Sequence, residues 1–125
     1  MKLFTVEEAN SALPRVRRIV RSIQSTHRLL ASYGEAAKQA AAGAERGGGG
    51  MDEGSQYAAV LIKLSLRVSE LEGLGVQLKD YSRGLVDFPS LRDGRVVLLC
   101  WELGEGDRVK WWHDVEAGFA GRQPL

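Results

Sequence analysis

The sequence predicts an α+β protein in which a long antiparallel helical hairpin, built from the N-terminal two thirds, packs with a small, mainly antiparallel sheet of three or four strands from the C-terminal third. Three observations carry this. Apolar residues recur at steps of three and four from Leu13 to Leu78, the period of one helix face. A glycine-rich stretch at 43–54, with Gly47-Gly48-Gly49-Gly50 inside it, divides that pattern in two, because a helical glycine costs about 1 kcal/mol. After Gly73 the pattern turns into short apolar runs separated by turn residues, as strands require.

The first helix starts at a capping box. In Thr5-Val6-Glu7-Glu8 the threonine hydroxyl accepts from the amide three residues on, and Glu8 reaches back to the Thr5 amide. Phe4 and Ala9 flank it as a hydrophobic staple. Pro14 has no N–H for residue 10, and its ring crowds the preceding turn. A short first segment with a kink or restart near Leu13-Pro14 is therefore expected. Leu13, Val16, Val20, Ile23, His27 and Leu30, continued by Gly34, Ala37 and Ala41, form a heptad seam. Arg15, Arg17, Arg18, Arg21 and Arg28 lie on the opposite face. The stretch 43–54 reads as a flexible turn, and a second seam follows at Tyr57, Leu61, Leu64, Val68, Leu71, Gly75 and Leu78. Two such helices fold back on each other over about 6–74. Ile19, Val60, Ile62 and Leu66 widen the stripe, which calls for cover by the strands or by a second copy of the chain. A homodimer is the expectation.

Val76-Gln77-Leu78-Lys79-Asp80 alternates as a strand, and Tyr81-Ser82-Arg83-Gly84 reads as a turn. Leu85-Val86-Asp87-Phe88 is a short extended run that Pro89 is expected to end. Arg92-Asp93-Gly94-Arg95 turns the chain into Val96-Val97-Leu98-Leu99-Cys100-Trp101-Glu102, which is too uniformly apolar for a solvent-washed face. Leu103-Gly104-Glu105-Gly106-Asp107 is the next turn and Val109-Lys110-Trp111-Trp112-His113 the returning strand. The β-rich part thus spans about 76–113, and 114–125 reads as an irregular tail able to fold across a sheet edge.

With 125 residues the chain is expected to be one domain, small enough for a dimer interface to add usefully to its core. Its 17 Lys+Arg against 16 Asp+Glu leave a net charge of +1, which argues against a global field drawing in nucleic acid or anionic membranes. A lone cysteine forms no internal disulfide and fits a reducing compartment, so a cytoplasmic location is expected. Met1-Lys2-Leu3-Phe4 leads directly into the capping box without the apolar core of a signal peptide, and no apolar run is long enough for a bilayer.

All three tryptophans, the only cysteine and one of two histidines crowd into the last third. The hairpin around Gly104-Glu105-Gly106-Asp107 has two plausible registers. Closed with Leu103 opposite Arg108, it sets Cys100 against Trp111 and Leu98 against His113; slipped by two, it sets Cys100 against His113. In both, strand alternation puts Cys100, Glu102, Trp111 and His113 on one face. A thiol, an imidazole and carboxylates there suit a transition metal such as zinc, with Asp87 or His27 as a third donor, although paired Cys-x-x-Cys spacing is missing. A Cys100 nucleophile with His113 as its base needs the slipped register, and an apolar strand raises a thiol's pKa. Asp87 also reads as a turn cap, Glu105 as a hairpin tip, and Cys100 and the tryptophans as core mass. Arg122 can pair with Asp87 or Glu105, or bind an anion. His27 also reads as a histidine at the bundle edge. Arg17, Arg18 and Arg21 could meet phosphate, but no aromatic residues interleave with them.

The succession Thr5-Val6-Glu7-Glu8-Ala9-Asn10 with Leu13-Pro14, then Gly84-Leu85-Val86-Asp87-Phe88-Pro89, Leu99-Cys100-Trp101, Gly104-Glu105, Trp112-His113 and Gly118-Phe119-Ala120-Gly121-Arg122, resembles the bacterial family catalogued as domain of unknown function 2203. The resemblance covers nearly the whole chain, with the glycine-rich stretch as a local expansion. It implies a small intracellular bacterial protein and transfers no mechanism. With no recognised catalytic constellation, the first functional reading is a non-enzymatic interaction or scaffold module that forms a homodimer. The alternatives are a metal-binding protein or small-molecule enzyme centred on Asp87, Cys100, Glu102, Glu105, His113 and Arg122, and a nucleic-acid binder using the arginine row.

Overall fold

The computed structural model describes residues 1–42 and 51–125. Helices α1 (Val6–Ala42) and α2 (Met51–Gly73) precede strands β1 (Gln77–Asp80), β2 (Leu85–Arg92), β3 (Arg95–Glu102), β4 (Trp111–Asp114) and β5 (Gln123–Pro124). The fold is α+β, with one five-stranded antiparallel sheet in the order β1-β2-β3-β4-β5. This is one strand more than the composition of the tail suggests, because Gln123 and Pro124 pair along β4. Of the glycine-rich stretch, 51–54 belong to α2, and the turn expected at 43–50 lies outside the described residues.

Thr5 and Glu8 exchange both bonds of the capping box, each at 3.0 Å. These bonds hold the Glu8 carboxyl below its ordinary range, the Thr5 amide contributing most. The break expected at Pro14 does not occur, and α1 runs through it. Interior proline costs about 3 kcal/mol. Here Pro14 is exposed while its neighbours Leu13 and Val16 are fully buried, and each such side chain returns about 1.5–3 kcal/mol.

The seam is deepest where the sheet covers it. Leu13, Val16, Val20 and Ile23 of α1, with Leu64 and Leu71 of α2, share a core with Val86, Phe88, Val97, Leu99, Trp101 and Trp112. Farther along the hairpin the expected seam opens. Tyr57 and Leu61 are 43% and 45% exposed, and Tyr57 meets Tyr33 edge-on at 6.3 Å instead of entering a closed core. Among the described residues, no helix is long and apolar enough to cross a membrane.

Pro89 does not end β2, which continues to Arg92. β1 pairs only as far as Asp87, so the outward edge of β2 beyond it carries no ladder. The Pro89 carbonyl points to that edge and accepts from the Phe4 amide at 2.7 Å. Since N and C=O of one strand residue point the same way, the missing N–H forfeits no pairing. Asp93 and Gly94, at φ 51° and 78° between paired Arg92 and Arg95, close the β2–β3 hairpin as a type I′ turn.

Alternation then gives the sheet two faces. Val86, Phe88, Val97, Leu99, Trp101 and Trp112 join the helical core. Leu85, Asp87, Leu98, Cys100, Trp111 and His113 occupy the reverse face by strand parity. Trp111 and Trp112 thus part company as adjacent strand residues must.

Candidate functional site

The reverse face would be half wet in a bare sheet, yet Asp87, Cys100 and His113 are only 2%, 1% and 3% exposed. The chain after β4 covers it. Val115, Gly118 and Phe119 share a cavity of about 160 Å³ with Lys79, Leu85, Asp87, Leu98 and His113. An alternating stack holds this cover down. The Arg122 guanidinium lies 4.7 Å from the Trp111 ring and 4.5 Å from the Phe119 ring; Arg83 lies over Phe119 at 4.0 Å. Each arginine is also anchored by a carboxylate, Arg122 by Glu105 and Arg83 by Glu102 at 2.7 Å. Glu105 is itself set by the Glu102 amide, which donates to its Oε1 at 2.8 Å.

Three adjacent strands supply the polar cluster. Asp87 on β2 stands directly opposite Cys100 on β3. Of the two registers open to the next hairpin, the protein adopts the one that pairs Cys100 with Trp111 and Leu98 with His113. His113 therefore approaches Cys100 from the diagonal. One donor atom each from Asp87, Cys100 and His113 lies within 4.8 Å of the other two.

The imidazole is clamped from both sides. Nδ1 lies 2.8 Å from the Asp114 carbonyl oxygen, and Nε2 lies 3.1 Å from Asp87 Oδ1. A carbonyl can only accept, so Nδ1 carries its proton and donates. Nε2 then faces a carboxylate oxygen, and the two tolerate that approach with a proton or a cation between them. A ligating histidine is commonly oriented in this way, by its other ring nitrogen donating to a carbonyl. Burial, followed by the Asp87 charge, pushes the Cys100 thiol from its ordinary 9.0 up to about 12, and Arg122 opposes this. A free thiol so placed is a poor nucleophile, whereas a metal-bound one is deprotonated by the ion.

Other residues singled out by the sequence fall elsewhere. His27 is half-buried and stacks on Tyr81 at 5.2 Å, so it is no third donor to this cluster. Arg17 donates to the Gly106 carbonyl at 2.8 Å, which removes it from an open cationic row, while Arg18 and Arg21 are exposed. Asp87 pairs with His113 and is no turn cap; Arg122 chooses Glu105 over Asp87. The sequence reading missed Lys79, Leu85, Leu98, Val115 and Phe119 as lining residues. Strand parity with Asp87 and Cys100 would have found the two leucines, and the run Gly118-Phe119-Ala120-Gly121-Arg122 already marked the phenylalanine.

A family model described as an uncharacterized conserved protein, DUF2203, matches residues 2–125. No curated protein and no solved structure matches the chain.

Proposed function

Because the chain belongs to the DUF2203 family of uncharacterized conserved proteins, its site must supply the reading, and we propose that the protein binds a divalent transition metal of the zinc type through Asp87, Cys100 and His113. The observation that carries this is the convergence of a carboxylate oxygen, a sulfur and an imidazole nitrogen within 4.8 Å on three neighbouring strands. Zinc bonded at ~2.0–2.3 Å in a tetrahedral site sets its donors roughly 3.3–3.8 Å apart. The widest separation here closes by no more than about 1.5 Å, within side-chain rotation. The mixed O, S and N set favours zinc or a related ion over magnesium or calcium, which prefer oxygen alone. Bound there, the ion would stand where a proton lies between Nε2 and the carboxylate and would hold Cys100 as a thiolate, with the displaced protons released to solvent.

Metal analysis of protein purified without a histidine tag tests this reading. Wild type exposed to zinc and then desalted retains one ion per chain, whereas Cys100→Ala and His113→Ala, with far-ultraviolet spectra confirming that they fold, retain none. Wild type that emerges metal-free, or variants that keep the ion, refute it. A lone thiol kept reduced for this purpose suits a reducing compartment such as the cytoplasm.

A second reading, as a homodimer, rests on another surface. Ala59, Ile62, Leu66, Ser69 and Gly73 repeat at three and four along α2 and are all exposed, Ile62 by 61% and Leu66 by 57%. The series small, Ile62, Leu66, small is nearly palindromic. A second copy laid antiparallel about its midpoint meets the same row, as a two-fold interface requires. Light scattering should find a dimer that Ile62→Glu with Leu66→Glu converts to monomer; a monomeric wild type at ~100 μM, far above the dissociation constant of a stable dimer, overturns this reading.

A further inference from the structure

Resting on the metal reading, we infer that the centre keeps one coordination position for an exchangeable ligand, and that this ligand is a short-chain monocarboxylate seated in the cavity beneath the C-terminal cover. Among the described residues, the donor cluster contains three groups and no fourth. Other carboxylates of this region are paired, Glu105 with Arg122 and the Glu102 amide, Glu102 with Arg83 and Asp114 with Arg95. Zinc with three protein ligands characteristically holds water or substrate at the fourth position, while structural zinc is closed by four.

The cavity decides what that ligand is. Two of the three donors, Asp87 and His113, line it. The remaining wall is Leu85, Leu98, Val115 and Phe119, and Lys79 stands at its exposed rim. An apolar wall with one cation selects a molecule with one anionic end and a hydrocarbon remainder. The charges agree. A divalent ion, the Asp87 carboxylate and the Cys100 thiolate sum to zero, so a bound monoanion leaves one negative charge for Lys79 to balance. At ~30 Å³ for each water-sized group, a volume of about 160 Å³ admits roughly five or six non-hydrogen atoms, the size of propionate or butyrate.

Cobalt(II) in place of zinc makes the centre visible, since its ligand-field bands respond to coordination. Titrating the cobalt-loaded full chain with n-butyrate at constant ionic strength should give a saturable band shift. Acetate should bind about tenfold more weakly, since it lacks the two methylenes that butyrate buries against the apolar wall. Lys79→Gln, a surface change that leaves the metal donors intact, should weaken butyrate by about two- to fivefold. A cobalt protein whose spectrum ignores butyrate refutes the exchangeable position while the metal reading stands. Equal affinity for acetate and butyrate refutes the assignment of the cavity, as does an unchanged affinity in Lys79→Gln. Failure to take up cobalt overturns the metal reading and this inference with it.

Discussion

The buried Asp87–His113 pair is the sharpest place to test the site without any metal. Both side chains are 3% exposed, and Nε2 lies 3.1 Å from Oδ1. Truncation by Asp87→Ala leaves Nε2 without its carboxylate partner on the wall of the cavity. Breaking a buried pair in this way costs about 3–5 kcal/mol. Asp87→Asn is a different perturbation. With Nδ1 donating to the Asp114 carbonyl, Nε2 becomes an acceptor and the amide NH₂ of asparagine donates to it, so a hydrogen bond across the pair is kept. The cost should fall to about 1 kcal/mol. Urea titrations of chelator-treated protein, followed by far-ultraviolet circular dichroism, give both values at constant m. A double-mutant cycle of Asp87→Ala with His113→Ala should return a coupling on the order of 2 kcal/mol. Equal losses for the alanine and asparagine variants, or coupling below about 0.5 kcal/mol, would refute the tautomer argument and the pairing on which the ligand assignment depends. The asparagine variant also separates fold from function, because it keeps the sheet while replacing an anionic donor.

Three further perturbations test how the site is held. Asn10→Ala removes the side-chain oxygen that accepts from the buried Val109 amide at 2.7 Å, and should cost about 1–3 kcal/mol in chemical denaturation; a neutral result would mean that water takes its place. Gly84→Ala sets a Cβ 2.6 Å from Leu103 Cδ1 and 2.8 Å from Val20 Cγ1 at φ +64°, so roughly 1–3 kcal/mol of overpacking adds to about 1–2 kcal/mol for a left-handed alanine. A melting temperature within 2 °C of wild type, a shift worth well under 1 kcal/mol, would contradict it. Glu8 has its folded pKa lowered by the Thr5 bonds; its contribution is present above the ordinary carboxylate value and is lost as pH falls through the lowered one. Acid titration of stability in wild type against Glu8→Gln should therefore converge at low pH and diverge towards neutrality, and parallel curves would exclude the linkage.

Local chemistry determined the helix cap, the two helical segments, the change of period after Gly73 and the Asp93-Gly94 hairpin, because each depends on residues a few positions apart. The same locality made Cys100 and His113 legible as neighbours on one face, since two-residue alternation holds in either register. Pro14 and Pro89 show where that reasoning stops. The cost of each proline is local, but the burial of Leu13 and Val16 and the end of β1 before residue 89 are not. That Asp87, and not His27, lies beside Cys100 and His113 likewise depended on which strands lie side by side. The cavity is the furthest from sequence: its roof is a tail with no periodicity, held by contacts of Arg122 with Phe119, with Trp111 on β4 and with Glu105 in the preceding hairpin turn. Alternation assigns a side chain to a face, and only the packed sheet with its cover decides whether that face meets water or buries Asp87, Cys100 and His113 together.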